Sequence, residues 1–160
     1  MIRLVTEKDL SACADVIRKS FETVADEFHI TRENAPYYVA FSVTAEKLQE
    51  QFEDGRLMVV ACDKEHGIVG YYSVCMLNNW ECELNNLCVL PEFRHKGIGS
   101  RMLEHAFDEA KKAGCVKMNI GIVDENLVLR RWYEKYGVYH LESRKYDIFP
   151  FTCGYMEKVL

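Results

Sequence analysis

One stretch of the sequence decides the fold: Leu87-Cys88-Val89-Leu90-Pro91-Glu92-Phe93-Arg94-His95-Lys96-Gly97-Ile98-Gly99. It begins as an apolar, strand-like run, and its glycine-rich end leads directly into a helical pattern that continues to Gly114. A turn in this position aims several unpaired backbone N–H groups at one point, where the helix dipole adds partial positive charge. Arg94 and Lys96 can pair with phosphate oxygens. The stretch therefore predicts an anion site suited to a phosphate or a pyrophosphate.

The spacing within this turn separates it from other phosphate motifs. It lacks the Lys-Ser/Thr end of a P-loop and the third glycine of a dinucleotide-binding turn. The pattern Arg94-x-x-Gly97-x-Gly99 after a strand instead resembles the pyrophosphate-binding motif of the GNAT superfamily, the acetyl-CoA-dependent N-acetyltransferases. A plain strand-to-helix turn, with glycines for close packing, is the alternative interpretation of this hexapeptide.

A second motif carries the same resemblance. Asn126 is followed seven residues later by Tyr133-Glu-Lys-x-Gly137, which is similar to the other signature of the family. The two motifs stand in the family's order and at its usual separation, and the resemblance covers roughly residues 56 to 146. The departures are mild, because His95 stands where Gly is frequent and Val138 where Phe is frequent.

Composition and charge limit the class of protein. The chain has 160 residues, so residues 1–160 are expected to form one domain. Its apolar fraction of 49% is ordinary for a globular protein, and no apolar run approaches the roughly 20 residues of a membrane span. The first residues lack a signal-peptide core, which predicts a cytoplasmic location. The net charge of −5 argues against a nucleic-acid partner and mildly favours a cationic substrate.

The seven cysteines predict neither disulfides nor a metal site. Their number is odd, and none are spaced as Cys-x-x-Cys. Most lie in apolar runs, where a thiol behaves as a small hydrophobic group. We therefore expect reduced thiols and no zinc site, and a nucleophilic cysteine remains open as an alternative.

The hydrophobic pattern predicts an α+β domain on one central sheet. The resemblance implies a mixed, mostly antiparallel sheet of about six to seven strands, with helices on both faces, as in the acyl-CoA N-acyltransferase fold. Helices are expected from Thr6, from Thr44 to Asp54, over 98–113 and from Asp124. Strands are expected over residues 2–5, 57–62, 68–77, 80–90, 116–122, 138–146 and 155–160.

The alternation of apolar side chains shifts by one position within the strand over residues 80–90. Its apolar side chains stand at even positions up to Leu84 and at odd positions from Leu87 to Val89. Such a switch predicts a β-bulge near Asn85 and Asn86, with one extra residue in the strand. The resemblance implies that this bulge separates the strand from its parallel neighbour. The pantetheine arm of CoA would then add to the free backbone groups around Leu87 and Val89.

The resemblance implies acetyl-CoA as cosubstrate, no metal, and direct attack by an amine. A lysine-like amine is only about 0.04% neutral at pH 7, so a nearby proton acceptor is useful. Tyr133 matches the thiol-facing acid of the family, and Glu83 is the first candidate base, with Glu81 or a water chain as alternatives. The residues expected to bind the cosubstrate are Leu87, Cys88, Val89, Arg94, His95, Lys96, Gly97, Ile98, Gly99, Ser100, Asn126 and Tyr133.

The acceptor is the least determined part of the prediction. The aromatic segments 37–41 and 149–151 either line an acceptor pocket or cover the edge of the sheet. The expected partner is a small-molecule or peptide amine, with no nucleic acid and no membrane, and a homodimer is compatible with the sequence. A catalytically silent CoA-binding regulatory module and a structural domain without CoA are the two rival functions.

Overall fold

The computed structural model describes all residues from 1 to 160 and contains one sheet of seven strands. The strand order is β1-β2-β3-β4-β5-β7-β6. Only the β4–β5 pair is parallel, and every other neighbouring pair is antiparallel. The strands are β1 (Ile2–Leu4), β2 (Leu57–Asp63), β3 (Gly67–Met76), β4 (Glu81–Val89), β5 (Lys117–Val123), β6 (Tyr139–Lys145) and β7 (Thr152–Val159).

Five helices cover the two faces of the sheet. They are α1 (Leu10–Glu27), α2 (Val39–Ser42), α3 (Ala45–Glu53), α4 (Ile98–Lys112) and α5 (Leu127–Glu134). Helices α4 and α5 pack on one face around a buried cluster that includes Tyr72, Met102 and Ile120. Helices α1 and α3 pack on the other face around a second cluster that includes Ile17 and Tyr71. The predicted α+β fold is therefore confirmed, and no helix is long and apolar enough to span a bilayer.

Strand β4 contains the predicted bulge. The register between β3 and β4 shifts beyond the Ser73–Asn85 pair, and Asn86 has a positive φ of 55°. Before the shift, Cys82 and Leu84 face the α4 side; after it, Leu87 and Val89 face that side and Cys88 faces α1. The parallel ladder with β5 ends at Leu84–Ile120, so β4 and β5 are unpaired beyond the bulge.

The helix caps show where local sequence determined the boundaries. Thr44 caps α3 by accepting from the Lys47 N–H, and Thr6 and Asp9 form a capping box before α1, as their types and spacing predict. The expected start of a helix at Asp124 was wrong. Asn126 caps that helix instead, because its side-chain oxygen accepts from the Leu129 N–H. The last strand begins at Thr152 rather than at Tyr155.

Candidate active site

The turn between β4 and α4 exposes a row of backbone donors. Two of its residues have left-handed backbone, with φ of 61° at His95 and 79° at Gly97. The first α-helical bond of α4 is from the Arg101 N–H to the Gly97 carbonyl, at 3.2 Å. The amide N–H groups from 95 to 100 have no acceptor in the protein. Consecutive free amides at a helix N-terminus fit the phosphates of a pyrophosphate group.

The edge of β4 beyond the bulge provides a second set of free backbone groups. The Leu90 N–H donates to the Val69 carbonyl at 2.8 Å, so Leu90 forms a hydrogen-bonded pair with β3. Because such pairs alternate along an antiparallel ladder, the N–H and C=O of Val89 point away from β3. Leu87 lies two residues earlier and has the same orientation. Leu87 thus offers its N–H and C=O to the gap between β4 and β5, and Val89 offers its N–H, because Arg94 occupies its carbonyl.

Arg94 has a different environment from the one that its place in the motif suggested. Its Nε donates to the Val89 carbonyl at 3.0 Å, and its two terminal nitrogens donate to Thr23 Oγ1 at 3.1 Å and to the Ser20 carbonyl at 2.9 Å. The guanidinium therefore ties the end of β4 to α1. Its side chain acts within the fold, and a role of Arg94 in anion binding stays a prediction.

Lys96 and Ile98 line a cavity beside the start of α4. The cavity has a volume of about 790 Å³ and lies between this turn and the β2–β3 turn, with Arg101 and His66 also in its wall. The Lys96 ammonium lies over the Phe93 ring, 5.0 Å from its centroid. These side chains face the β2–β3 hairpin. The β4–α4 turn therefore presents its free backbone amides on one side and the cationic side chains of Lys96 and Arg101 on the other.

The next turn of α4 is supported by aromatic residues that the sequence prediction missed. The Tyr136 hydroxyl donates to Ser100 Oγ at 2.6 Å, which leaves the Ser100 hydroxyl proton free to donate elsewhere. A Cβ on Gly99 would lie 3.7 Å from the Trp132 ring, which is ordinary van der Waals contact, so the indole packs beside the start of α4. Trp132 lies on α5 and Tyr136 lies two residues beyond its end, and their spacing of four residues could have indicated one shared face.

Tyr133 is buried on α5, with 5% of its surface exposed. Burial raises the pKa of its phenol well above the usual range, with a smaller contribution from the Cys88 thiol. The hydroxyl makes no hydrogen bond within the protein, so it remains protonated and available at neutral pH. Asn126 stands at the start of the same helix, where its side-chain oxygen is used as the cap. Only the amide nitrogen of Asn126 is left for a ligand.

The two candidate bases differ in their environment. Glu81 accepts hydrogen bonds from Asn119 at 2.9 Å and from Asn78 at 3.2 Å, and these bonds, with Lys117 nearby, lower its pKa. Glu83 accepts only from the amide of Asn85 and has no ion-pair partner. Since a carboxylate held by several donors is a weaker base, the geometry favours Glu83.

The two aromatic segments meet beside the carboxyl end of β5. Tyr38 makes edge contacts with Phe41 and Phe151, at centroid distances of 6.0 Å and 6.1 Å. Both segments belong to one cluster that includes the buried side chain of Val123 on β5. They therefore form a wall at this end of the sheet, and a role as acceptor pocket remains a prediction.

Known proteins resemble this chain in sequence and in fold. The ribosomal protein bS18-alanine N-acetyltransferase of Escherichia coli K12 is 24% identical to this chain over 96 residues. These residues are 60% of this chain, and they span 64% of that relative's length. The thialysine N-epsilon-acetyltransferase of Bos taurus is 26% identical over 99% of this chain and 96% of its own. The crystal structure of the PaiA N-acetyltransferase from Thermoplasma acidophilum, in complex with coenzyme A, superposes with a TM-score of 0.82 at 22% identity, covering 100% of this chain and 98% of that one.

The structural likeness, at this level of identity, shows the fold. The family assignment comes from a model of the acetyltransferase (GNAT) family, which matches residues 25–138. That range contains the β4–α4 turn, the bulge, and both motifs that carry the resemblance. Because the match covers well over half of the sequence, the chain belongs to the GNAT acetyltransferase family.

Proposed function

We propose that this protein transfers an acetyl group from acetyl-CoA to a primary amine by direct attack. One observation carries the proposal: the free amides of residues 95–100 adjoin the unpaired edge of β4 at Leu87 and Val89. The first set suits the pyrophosphate of CoA and the second suits the amide groups of its pantetheine arm. The names of the bacterial and bovine relatives, both N-acetyltransferases, support the same activity.

The residues around the gap supply the remaining chemistry. Acetyl-CoA, when bound, supplies a thioester carbonyl that a neutral amine attacks. The Val89 N–H is placed to donate to the carbonyl oxygen as charge develops on it. Glu83 takes a proton from the ammonium before the C–N bond forms. Tyr133 donates its hydroxyl proton to the leaving sulfur as the C–S bond breaks, and the proton that the attacking nitrogen then loses restores the phenol.

A water chain is the second route for the amine's proton. The hydroxyls of Ser20, Tyr71 and Ser73 are buried without a partner, and Ser73 pairs with Asn85 across the ladder. Buried polar atoms of this kind commonly bind ordered water. Such water next to Asn85 would relay the amine's proton to the Glu83 carboxylate, which accepts from the Asn85 amide.

The cysteines support direct attack rather than an acetyl-enzyme. Cys88 is the thiol of the free β4 edge, but its side chain is buried on the α1 side. Burial raises its pKa to about 12, and burial raises the pKa values of Cys13 and Cys82 to about 12 as well. Thiols with such pKa values are not nucleophiles at neutral pH.

The acceptor and the location stay predictions that rest on the sequence. The negative net charge supports a cationic amine, either a small molecule or a peptide, and gives no basis for a nucleic-acid or membrane partner. A cytoplasmic location and a homodimer stay predictions, as does the assignment of residues 1–160 to one domain.

Calorimetric titration of acetyl-CoA, together with thiol release over a panel of amines, tests the proposal. We expect binding of acetyl-CoA and release of thiol that depends on the amine. Absence of binding at millimolar acetyl-CoA would contradict the proposal that this chain uses acetyl-CoA as its cosubstrate. Binding without release for any amine would instead favour a CoA-binding regulatory module.

A further inference from the structure

Gly121 forms an opening in the middle of the sheet. It lies on β5, which is bordered by β4 on one side and by β7 on the other. Its neighbours Ile120 and Ile122 are buried on the α4 side, whereas Gly121 faces the other side and is exposed. Residues in a central strand are normally covered, so the exposure of Gly121 leaves the sheet itself accessible at this point.

The opening lies where the two parallel strands part. The ladder between β4 and β5 ends at the Leu84–Ile120 pair, so Gly121 is the first residue of β5 beyond it. The neighbouring residues of β4 are Asn85 and the bulged Asn86. A group above Gly121 is therefore next to the gap that the free edge of Leu87 and Val89 borders.

The side chain opposite Gly121 is held away from it. Tyr155 pairs with Gly121 across the β5–β7 ladder, where a tyrosine ring could cover the glycine. The Tyr155 hydroxyl is instead bonded to the Tyr146 hydroxyl at 2.9 Å, and the Arg144 guanidinium lies 5.8 Å from the centre of its ring. A Cβ built on Gly121 would have no atom within 4 Å. The contacts with β6 and its following loop thus keep the opening clear.

The surroundings of the opening are acidic on one side and aromatic on the other. Along β5, Asn119 and Val123 flank Gly121 on the same face, and Val123 belongs to the aromatic cluster of Tyr38 and Phe151. On the other side, the carboxylates of Glu81 and Glu157 share the single ammonium of Lys117, at 3.4 Å and 3.6 Å. Glu83 on β4 adds a carboxylate with no cationic partner.

We propose that the acceptor enters over Gly121 and that it is a primary ammonium on an unbranched chain. This inference rests on the proposed function. Asn119 and Val123 flank Gly121 on the same face, and each lies two residues and roughly 7 Å from it along the strand. One methylene chain fits a slot left by a missing side chain, whereas a branch next to the amine meets the flanking residues. The carboxylates beside the slot select the charged end before Glu83 removes its proton.

Filling the slot tests the position of the entrance. Gly121 has ordinary strand backbone, since its φ is not positive, so Gly121→Val is compatible with β5 and favours strand conformation. We expect Gly121→Val to lower kcat/KM for 1,5-diaminopentane at least tenfold and Gly121→Ala to lower it less. The melting temperature of Gly121→Val should be unchanged or higher, and its affinity for acetyl-CoA should stay within twofold of the wild type. If Gly121→Val acetylates 1,5-diaminopentane as efficiently as the wild type, the proposal is overturned. The acetyltransferase function would not be contradicted by that result.

Comparing amines tests the class of acceptor. We expect 1,5-diaminopentane and the side-chain amine of Nα-acetyl-lysine amide to be acetylated at least tenfold more efficiently than the α-amine of an alanine-initiated peptide. Both unbranched amines share the proposed chemistry, and their ratio separates a free diamine from a lysine side chain. Preferred acetylation of the peptide α-amine would overturn the proposal. Failure of wild-type protein to bind acetyl-CoA would contradict the proposed function itself, and this inference with it.

Discussion

Replacement of Tyr133 by Phe gives the sharpest test of the chemistry. The change removes one oxygen atom that makes no hydrogen bond within the protein and leaves the buried ring in place. Removing an unpartnered hydroxyl breaks no internal bond, so we expect the free energy of unfolding to change by less than about 0.5 kcal/mol. Loss of a general acid lowers turnover by about a hundredfold or more, which corresponds to about 2.7 kcal/mol.

The assay measures thiol release at saturating acetyl-CoA with one accepted amine. We expect kcat of Tyr133→Phe to fall about a hundredfold while the calorimetric Kd for acetyl-CoA stays within twofold. Tyr136→Phe is the matched control, because Tyr136 lies just beyond the end of the same helix and its hydroxyl donates to Ser100 beside the free amides. That variant is expected to weaken acetyl-CoA binding more than it lowers kcat.

Two results would refute the assignment of Tyr133. A kcat within threefold of wild type, with normal binding, would show that the leaving thiolate needs no proton from this hydroxyl. A parallel loss of kcat and of acetyl-CoA affinity would show that the phenol contributes to binding of the cosubstrate instead. In either case the buried, protonated state of Tyr133 would need a different explanation.

Three further substitutions test other parts of the structure. Gly97→Val places a β-branched residue at a φ of 79° and should weaken acetyl-CoA binding at least tenfold in calorimetry, with the far-UV circular dichroism unchanged. Arg94→Ala removes the three hydrogen bonds that join β4 to α1 and should lower the free energy of unfolding by about 2 to 3 kcal/mol in urea. Asp9 has a lowered pKa because Arg3 donates to it, so its stabilisation is complete above pH about 4 and is lost as the pH falls through the folded pKa. Asp9→Asn should therefore cost about 1 kcal/mol in urea unfolding at pH 7 and less at pH 3.

The sequence predicted the turn and the bulge because both are local features. The two glycines of the turn mark the change from strand to helix, and a phase switch of apolar residues requires an extra residue within one strand. The structure confirms the switch, since Leu84 and Val89 pack on the same face despite their odd separation. The positive φ of 61° at His95 also explains why glycine is frequent at this position of the motif.

The sequence could not predict contacts between distant segments. Two partners of Arg94 are in α1, about seventy residues earlier in the chain, so a motif centred on the turn could not indicate these hydrogen bonds. The opening at Gly121 depends on the end of one ladder and on the bonds that hold Tyr155. A lone glycine inside an alternating strand gives no indication of either.

The extra residue at Asn86 accounts for both halves of the site. Without it, the alternation of β4 would turn the amides of Leu87 and Val89 toward β3, and no free edge would remain. With it, β4 leaves β5 after Leu84, so the free edge and the opening over Gly121 arise at one gap. The same shift turns the Cys88 side chain under α1, away from that gap. An arrangement in which two substrates share a gap and the nearest thiol is buried favours direct transfer over a covalent acetyl-enzyme.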